Sequence, residues 1–228
     1  MIQVENIETM NFAAAIRGMR NPMNSWAKSD SEEDVGRCDY CIYRGDSRCN
    51  DRAFCPVTFA AGPADLDLMR RLVAAGPEHR KFMRQIFVSM DIMAPLYWWK
   101  EFDTYKVGTT ANSCSTMHKL TAKRFTLEDF STDHIEPECT HVITTVIAAL
   151  NEMRDEYLKT NDKGLWYTMV QLLPSSYNQR RTVTMTYENA FNIIQQRSGH
   201  KLQEWLDFVN VFLGLPYMGD LVTAQKGS

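Results

Sequence analysis

The chain has 228 residues, 44% of them hydrophobic and 23% charged, with a formal net charge of −3. That length suits one domain with a real core, and the composition is that of an ordinary globular protein. The mild negative charge offers nothing global to nucleic acid or to an acidic membrane, so any basic site must be local. The first residues, MIQVENIETMNF, show neither a charged leader nor an apolar h-region. No apolar run approaches the about 18 residues of a membrane span. A cytoplasmic protein without a membrane partner is expected.

Residues 1–62 read as an irregular, polar N-terminal segment, because RGMRNPMNSWAKSDSEEDVG is crowded with turn formers and charges. Four of the six cysteines fall here, in CDYCIYRGDSRCNDRAFC: Cys38, Cys41, Cys49 and Cys55. In a reducing compartment, clustered cysteines point to metal or redox chemistry rather than to disulfides. A Cys-x-x-Cys step with a glycine four residues later can form a knuckle that turns two thiolates toward one ion. Cys49 and Cys55 would complete a tetrahedral, structural zinc site. Their five-residue gap departs from the usual spacing, and the alternative is four reduced thiols in a polar loop.

From Pro63 the patterning becomes regular, and a single domain is expected over 63–216. ADLDLMRRLVAAG places Leu66, Met69, Leu72 and Val73 at helical spacing, stopped by Gly76. QIFVSMDI alternates as a strand does. Pro95 suits the first turn of a helix carrying LYWWKEFDTYK. Residues 142–158 form the clearest helix, with Val142, Val146, Leu150, Met153 and Tyr157 on one stripe. LWYTMVQLL is a second apolar helix ending at Pro174. RTVTMTY alternates as a strand, ENAFNIIQQRSG is a helix closed by Gly199, and KLQEWLDFVNVFLG is one closed by Gly214. Residues 217–228 are left as a tail. The sum is an α+β fold, richer in helix than in strand.

Three patterns bear on chemistry. DHIEPECTH groups Asp133, His134, Glu136, Glu138, Cys139 and His141, but their spacing fits no metal motif, and the stretch precedes a helix whose dipole favours acids. It reads as a solvated helix entry. Cys114, in NSCST, could lie in a reactive loop, although a lone cysteine is more often inert. Arg180 and Arg181 are neighbours on the second strand, so they point to opposite faces. With Arg197 on the following helix they could form a clamp for phosphate or carboxylate, or they could be solvated surface arginines.

Around these arginines the sequence resembles the flavin-dependent thymidylate synthases. Leu173, Pro174, Arg180 and Arg197, followed by Gln203, match the family's C-terminal signature without a gap. His79, Ala94-Pro95, Asn112 and Ser115 match its central region. The resemblance implies a thymidylate synthase complementing protein-like fold, with helices packed on a small, mainly antiparallel sheet. It implies a homotetramer that binds FAD and dUMP and methylates the pyrimidine at C5 with methylenetetrahydrofolate. Substrate contacts would come from Arg180, Ser115 and Glu101, the last standing where a glutamine is expected. Arg197 would be catalytic, polarising the pyrimidine carbonyl. His79, Lys106, Asn112 and Asn192 would meet the flavin.

The family's hallmark Arg-His-Arg is replaced here by Thr104, Tyr105 and Lys106, and Glu188 stands where an arginine is usual. An acid near phosphates repels by about 1 kcal/mol or more when partly buried. A non-redox nucleotide-binding protein on the same fold is therefore the alternative. In either case Arg181 is expected to matter little.

Overall fold

A computed structural model describes residues 2–32, 59–115 and 119–226. In chain order the elements are β1 (Gln3–Met10), α1 (Phe12–Arg20), α2 (Pro63–Ala74), β2 (Phe87–Pro95), α3 (Leu96–Phe102) and β3 (Thr109–Ser113). They continue with α4 (Thr140–Thr160), α5 (Lys163–Leu172), β4 (Asn178–Thr186), α6 (Tyr187–Arg197), α7 (Gln203–Leu213) and α8 (Met218–Lys226). The strands form one sheet in the order β1-β2-β4-β3. Asp91 pairs with Thr182 and Ser89 with Thr184, while Cys114 meets Arg180 and Gly108 meets Thr186. Advancing along one strand while retreating along its neighbour makes both ladders antiparallel.

The expected helices and strands after Pro63 are present, and so is the helices-on-sheet α+β fold. The first 62 residues are not uniformly irregular, however: they contain β1 and α1. Nor do residues after 216 trail away, since α8 buries Met218, Leu221 and Val222. The chain divides by interleaving rather than in series. One compact unit comprises Met1–Glu5, Asp91–Tyr105 and Ala111–Thr182; the other comprises Asn6–Met90, Lys106–Thr110 and Val183–Ser228.

In the first unit, α4 and α5 form a hairpin. Asn161 ends α4 in the left-handed region at φ 53, and the Asp162 side chain accepts the Gly164 amide at 2.7 Å to start α5. One residue thus closes a helix and the next caps another. The hairpin buries Ile143, Ile147, Leu150 and Met169 against Leu120, Phe125 and Phe130. α3 begins with two amides that a helix cannot satisfy itself; Leu96 and Tyr97 donate them to the carbonyls of Tyr177 and Ser175. Its Trp98, Trp99 and Phe102 are fully buried and pack ring on ring at 4.9–5.2 Å. The apolar surface of LYWWKEF is therefore spent inside the chain and gives no support to oligomerisation.

The second unit is built on another aromatic cluster. Phe12 lies 5.3 Å from Tyr187, 5.7 Å from Tyr217 and 5.6 Å from Phe59. Burial pushes the Tyr187 phenol well above its ordinary range, and its hydroxyl donates to the Pro216 carbonyl.

Candidate functional site

The first unit contains a cavity of about 270 Å³ where β3 ends and β4 begins. Three cationic side chains, Lys119, Lys123 and Arg180, line it together with Ser115, and two carboxylates, Glu128 and Asp129, face them. The geometry starts with the β3–β4 ladder. The Cys114 amide donates to the Arg180 carbonyl at 2.9 Å, which places Ser115 one residue beyond the last paired position. Lys119 donates its amide to the Ser115 carbonyl at 3.2 Å, and both Lys119 and Lys123 line the cavity.

Two of the three cations are aimed by carboxylates. Asp129 accepts from Lys123 with one oxygen, and with the other takes the Thr126 amide at 2.9 Å in a capping box. The Asp129 hydrogen bond raises the Lys123 ammonium above the usual lysine range. Burial, and then the Asp129 charge, raise the neighbouring Tyr177 phenol. Arg180 donates Nη2 to Asp91 at 2.8 Å and to Glu5 at 3.4 Å. Both contacts use the same nitrogen, so among the described residues Nε and Nη1 keep their donors for a ligand.

Arg181 has the opposite setting, as strand alternation requires. Arg180 is 47% exposed and Arg181 14%. The Arg181 guanidinium sits 4.1 Å over the Trp99 ring, pairs with Asp103 at 2.6 Å and donates Nε to the Gln179 side chain at 2.9 Å. It holds the covered side of β4 and is far from inconsequential.

The other residues singled out from the sequence are dispersed. Glu101, half-buried on α3, and Asn112, exposed on β3, are not walls of the cavity. In the second unit, His79 and Lys106 are exposed, and Arg197 lies 4.5 Å over the Trp205 ring. Asn192 accepts from Arg80 Nη2 at 3.1 Å, and Glu188 binds both Arg80 and Arg84. The residues of DHIEPECTH are exposed apart from half-buried Ile135. Cys38, Cys41, Cys49 and Cys55 lie outside the described residues. Among the described residues no group of three or more metal-type side chains is placed to share an ion, and no helix is long and apolar enough to cross a membrane.

No protein-family model matches the chain, and no curated protein does. Solved structures do. Thymidylate synthase X (ThyX) from Helicobacter pylori with FAD and dUMP superposes with a TM-score of 0.69 at 16% identity, covering 99% of this chain and 100% of that one. A second structure of the flavin-dependent enzyme from the same organism, also with FAD and dUMP, gives 0.65 at 15% identity, covering 99% and 98%. The fold is that of the flavin-dependent thymidylate synthases. At these identities the likeness concerns the backbone, and the site must be argued from the chain's own side chains.

Of the residues expected from the sequence, Ser115 and Arg180 share the cavity. Lys119, Lys123 and Asp129 were missed. The available signal was KLTAKR, two lysines four apart, which on its own is any solvated turn.

Proposed function

We propose that this protein binds a pyrimidine deoxynucleotide of the dUMP class, with the phosphate held in the cavity by Arg180, Ser115, Lys119 and Lys123. The observation that carries this is the convergence of Ser115 and Arg180, distant in sequence, on one cavity that also draws in two lysines. A phosphomonoester needs several donors at fixed positions. Arg180 offers Nε and Nη1, and Lys123 is already aimed by Asp129. The two ThyX structures with the same fold are complexes with dUMP.

Calorimetric titration with dUMP checks the reading. A charge-assisted contact to phosphate is worth about 1.5–3 kcal/mol, so Arg180→Ala should weaken binding roughly ten- to a hundredfold. Unchanged affinity would remove the cavity from consideration. By the resemblance, Arg197 would polarise the pyrimidine carbonyl; it lies in the other unit against Trp205, so Arg197→Ala tests that assignment separately from the cavity.

The ThyX complexes also contain FAD. Two residues at positions where the resemblance leads one to expect phosphate or flavin contacts fit FAD poorly. Glu188 places a carboxylate where an arginine is usual, and it is held there by Arg80 and Arg84. The Asn192 amide oxygen is already committed to Arg80. We therefore favour nucleotide binding without redox chemistry and derive no step through a flavin. C5 methylation with reduced FAD and methylenetetrahydrofolate is the second reading, supported by the likeness over the full length of the chain. Absorbance in the flavin band of freshly purified protein separates the two.

Two further proposals rest on sequence alone. Cys38, Cys41, Cys49 and Cys55 hold a structural zinc; less than about half a metal per chain, in protein prepared without chelator, would sink this. The protein is a homotetramer, as the family resemblance implies, which light scattering addresses.

A further inference from the structure

The arginine that faces away from the cavity shapes its wall. Gln179 is 8% exposed and bridges two groups: its Oε1 accepts Arg181 Nε–H at 2.9 Å, and its Nε2 donates to the Cys114 carbonyl at 2.8 Å. An amide side chain alone can turn over, exchanging its donor and acceptor ends. A guanidinium only donates, so Arg181 forces Oε1 toward itself and Nε2 toward Cys114. Arg181 is itself fixed by the Trp99 face and by Asp103, and the Trp99 indole N–H donates to the Gln179 carbonyl at 2.9 Å. Cys114 is thus clamped on both sides, its amide on the Arg180 carbonyl and its carbonyl on the Gln179 side chain. The next residue is Ser115.

We propose that Gln179 and Arg181 are positioning residues for the nucleotide cavity: Arg181 sets the polarity of the Gln179 amide, and that amide holds the Cys114–Ser115 wall in place for phosphate. This rests on the nucleotide reading above, but its mechanical half can be measured without ligand. Gln179→Met keeps the length of the side chain and removes both hydrogen bonds, while Arg181 retains Trp99 and Asp103.

Two readouts are needed, hydrogen exchange of the segment ending at Ser115 in the free protein and calorimetric titration with dUMP. In Gln179→Met the segment should exchange about tenfold faster, and dUMP affinity should fall about tenfold. Arg181→Ala should reproduce both changes, and the double variant should lose no more affinity than the worse single one, because the two residues act in one chain. Gln179→Asn, which is too short to span the two groups, should not rescue. Normal exchange and normal affinity in Gln179→Met, with Arg180→Ala still impaired, would overturn the proposal and leave the cavity intact as a site. Faster exchange with dUMP bound by neither wild type nor variant would remove the positioning role for a nucleotide and the nucleotide reading together. If Arg181→Ala does not fold, the Gln179→Met pair of measurements decides alone.

Discussion

Two arginine–carboxylate pairs in this chain share one chemistry and have opposite settings. In the second unit, Arg20 and Asp65 are 4% and 0% exposed and meet at 2.6 Å. The other oxygen of Asp65, Oδ2, accepts from the hydroxyls of Ser29 and Ser31 and from the amides of Asp30 and Ser31. In the first unit, Arg180 and Asp91 are 47% and 20% exposed, and the guanidinium still has unused donors. A buried carboxylate with both oxygens already engaged ties the segment after α1 to α2. A half-exposed guanidinium with donors to spare contributes little to stability and is available for binding.

The largest expected effect falls on the buried pair. Removing one partner of a buried ion pair costs about 3–5 kcal/mol, so Asp65→Ala should lower the melting temperature by many degrees or prevent folding. Acid sharpens the same point. Burial pushes the Asp65 carboxyl up, but hydrogen bonds from Ser31, Ser29 and Arg20, with the Arg20 charge, outweigh it and hold the group below its ordinary value of 3.8. A carboxylate whose folded value lies below its unfolded one contributes stability that is present above the unfolded value. That stability disappears as pH falls through the folded value. Wild-type stability should therefore acquire an extra acid loss below pH 3.8, which Asp65→Asn should lack when unfolding is followed by circular dichroism.

Arg180→Ala comes next, and it should invert the pattern. Its effect belongs in dUMP affinity, ten- to a hundredfold, with the thermal midpoint little changed because the pair is exposed. A large loss of stability would mean that Arg180 resembles Arg20 after all. The smallest effect belongs to Arg71, paired with Asp67 one helical turn away and mostly exposed. Arg71→Ala should shift stability by only about 0.3–0.5 kcal/mol, a useful floor for the series.

The sequence made the buried pair hard to see and the exposed one easier. Arg20 and Asp65 are separated by the whole segment between α1 and α2, and nothing local marks either as buried. Arg180 stood out because it matched a family signature and because a neighbouring arginine on a strand must face the other way. The lysines carry no such mark, since nothing within KLTAKR shows that the fold brings them to the same cavity as Arg180. α1 was legible in principle: Phe12, Ala15, Ile16 and Met19 form a buried stripe at steps of three, one and three. It was masked by the polar stretch that follows. β1 was harder, because Asn6 takes φ 51 in the middle of the strand and breaks the alternation on which strand recognition depends. LYWWKEF showed the converse limit. Periodicity reveals that a helix is apolar all round, but not that its own chain supplies the cover.

The interruption at Asn6 also acts outside the folded chain. β1 is an outer strand of the sheet, and a regular outer strand offers its row of amides and carbonyls to any strand that drifts past. A left-handed residue in mid-strand spoils that row, much as a bulge does. The opposite border, β3, is protected differently: it is only five residues long. Both borders of the sheet are thus poor templates for sheet extension, a built-in guard against aggregation.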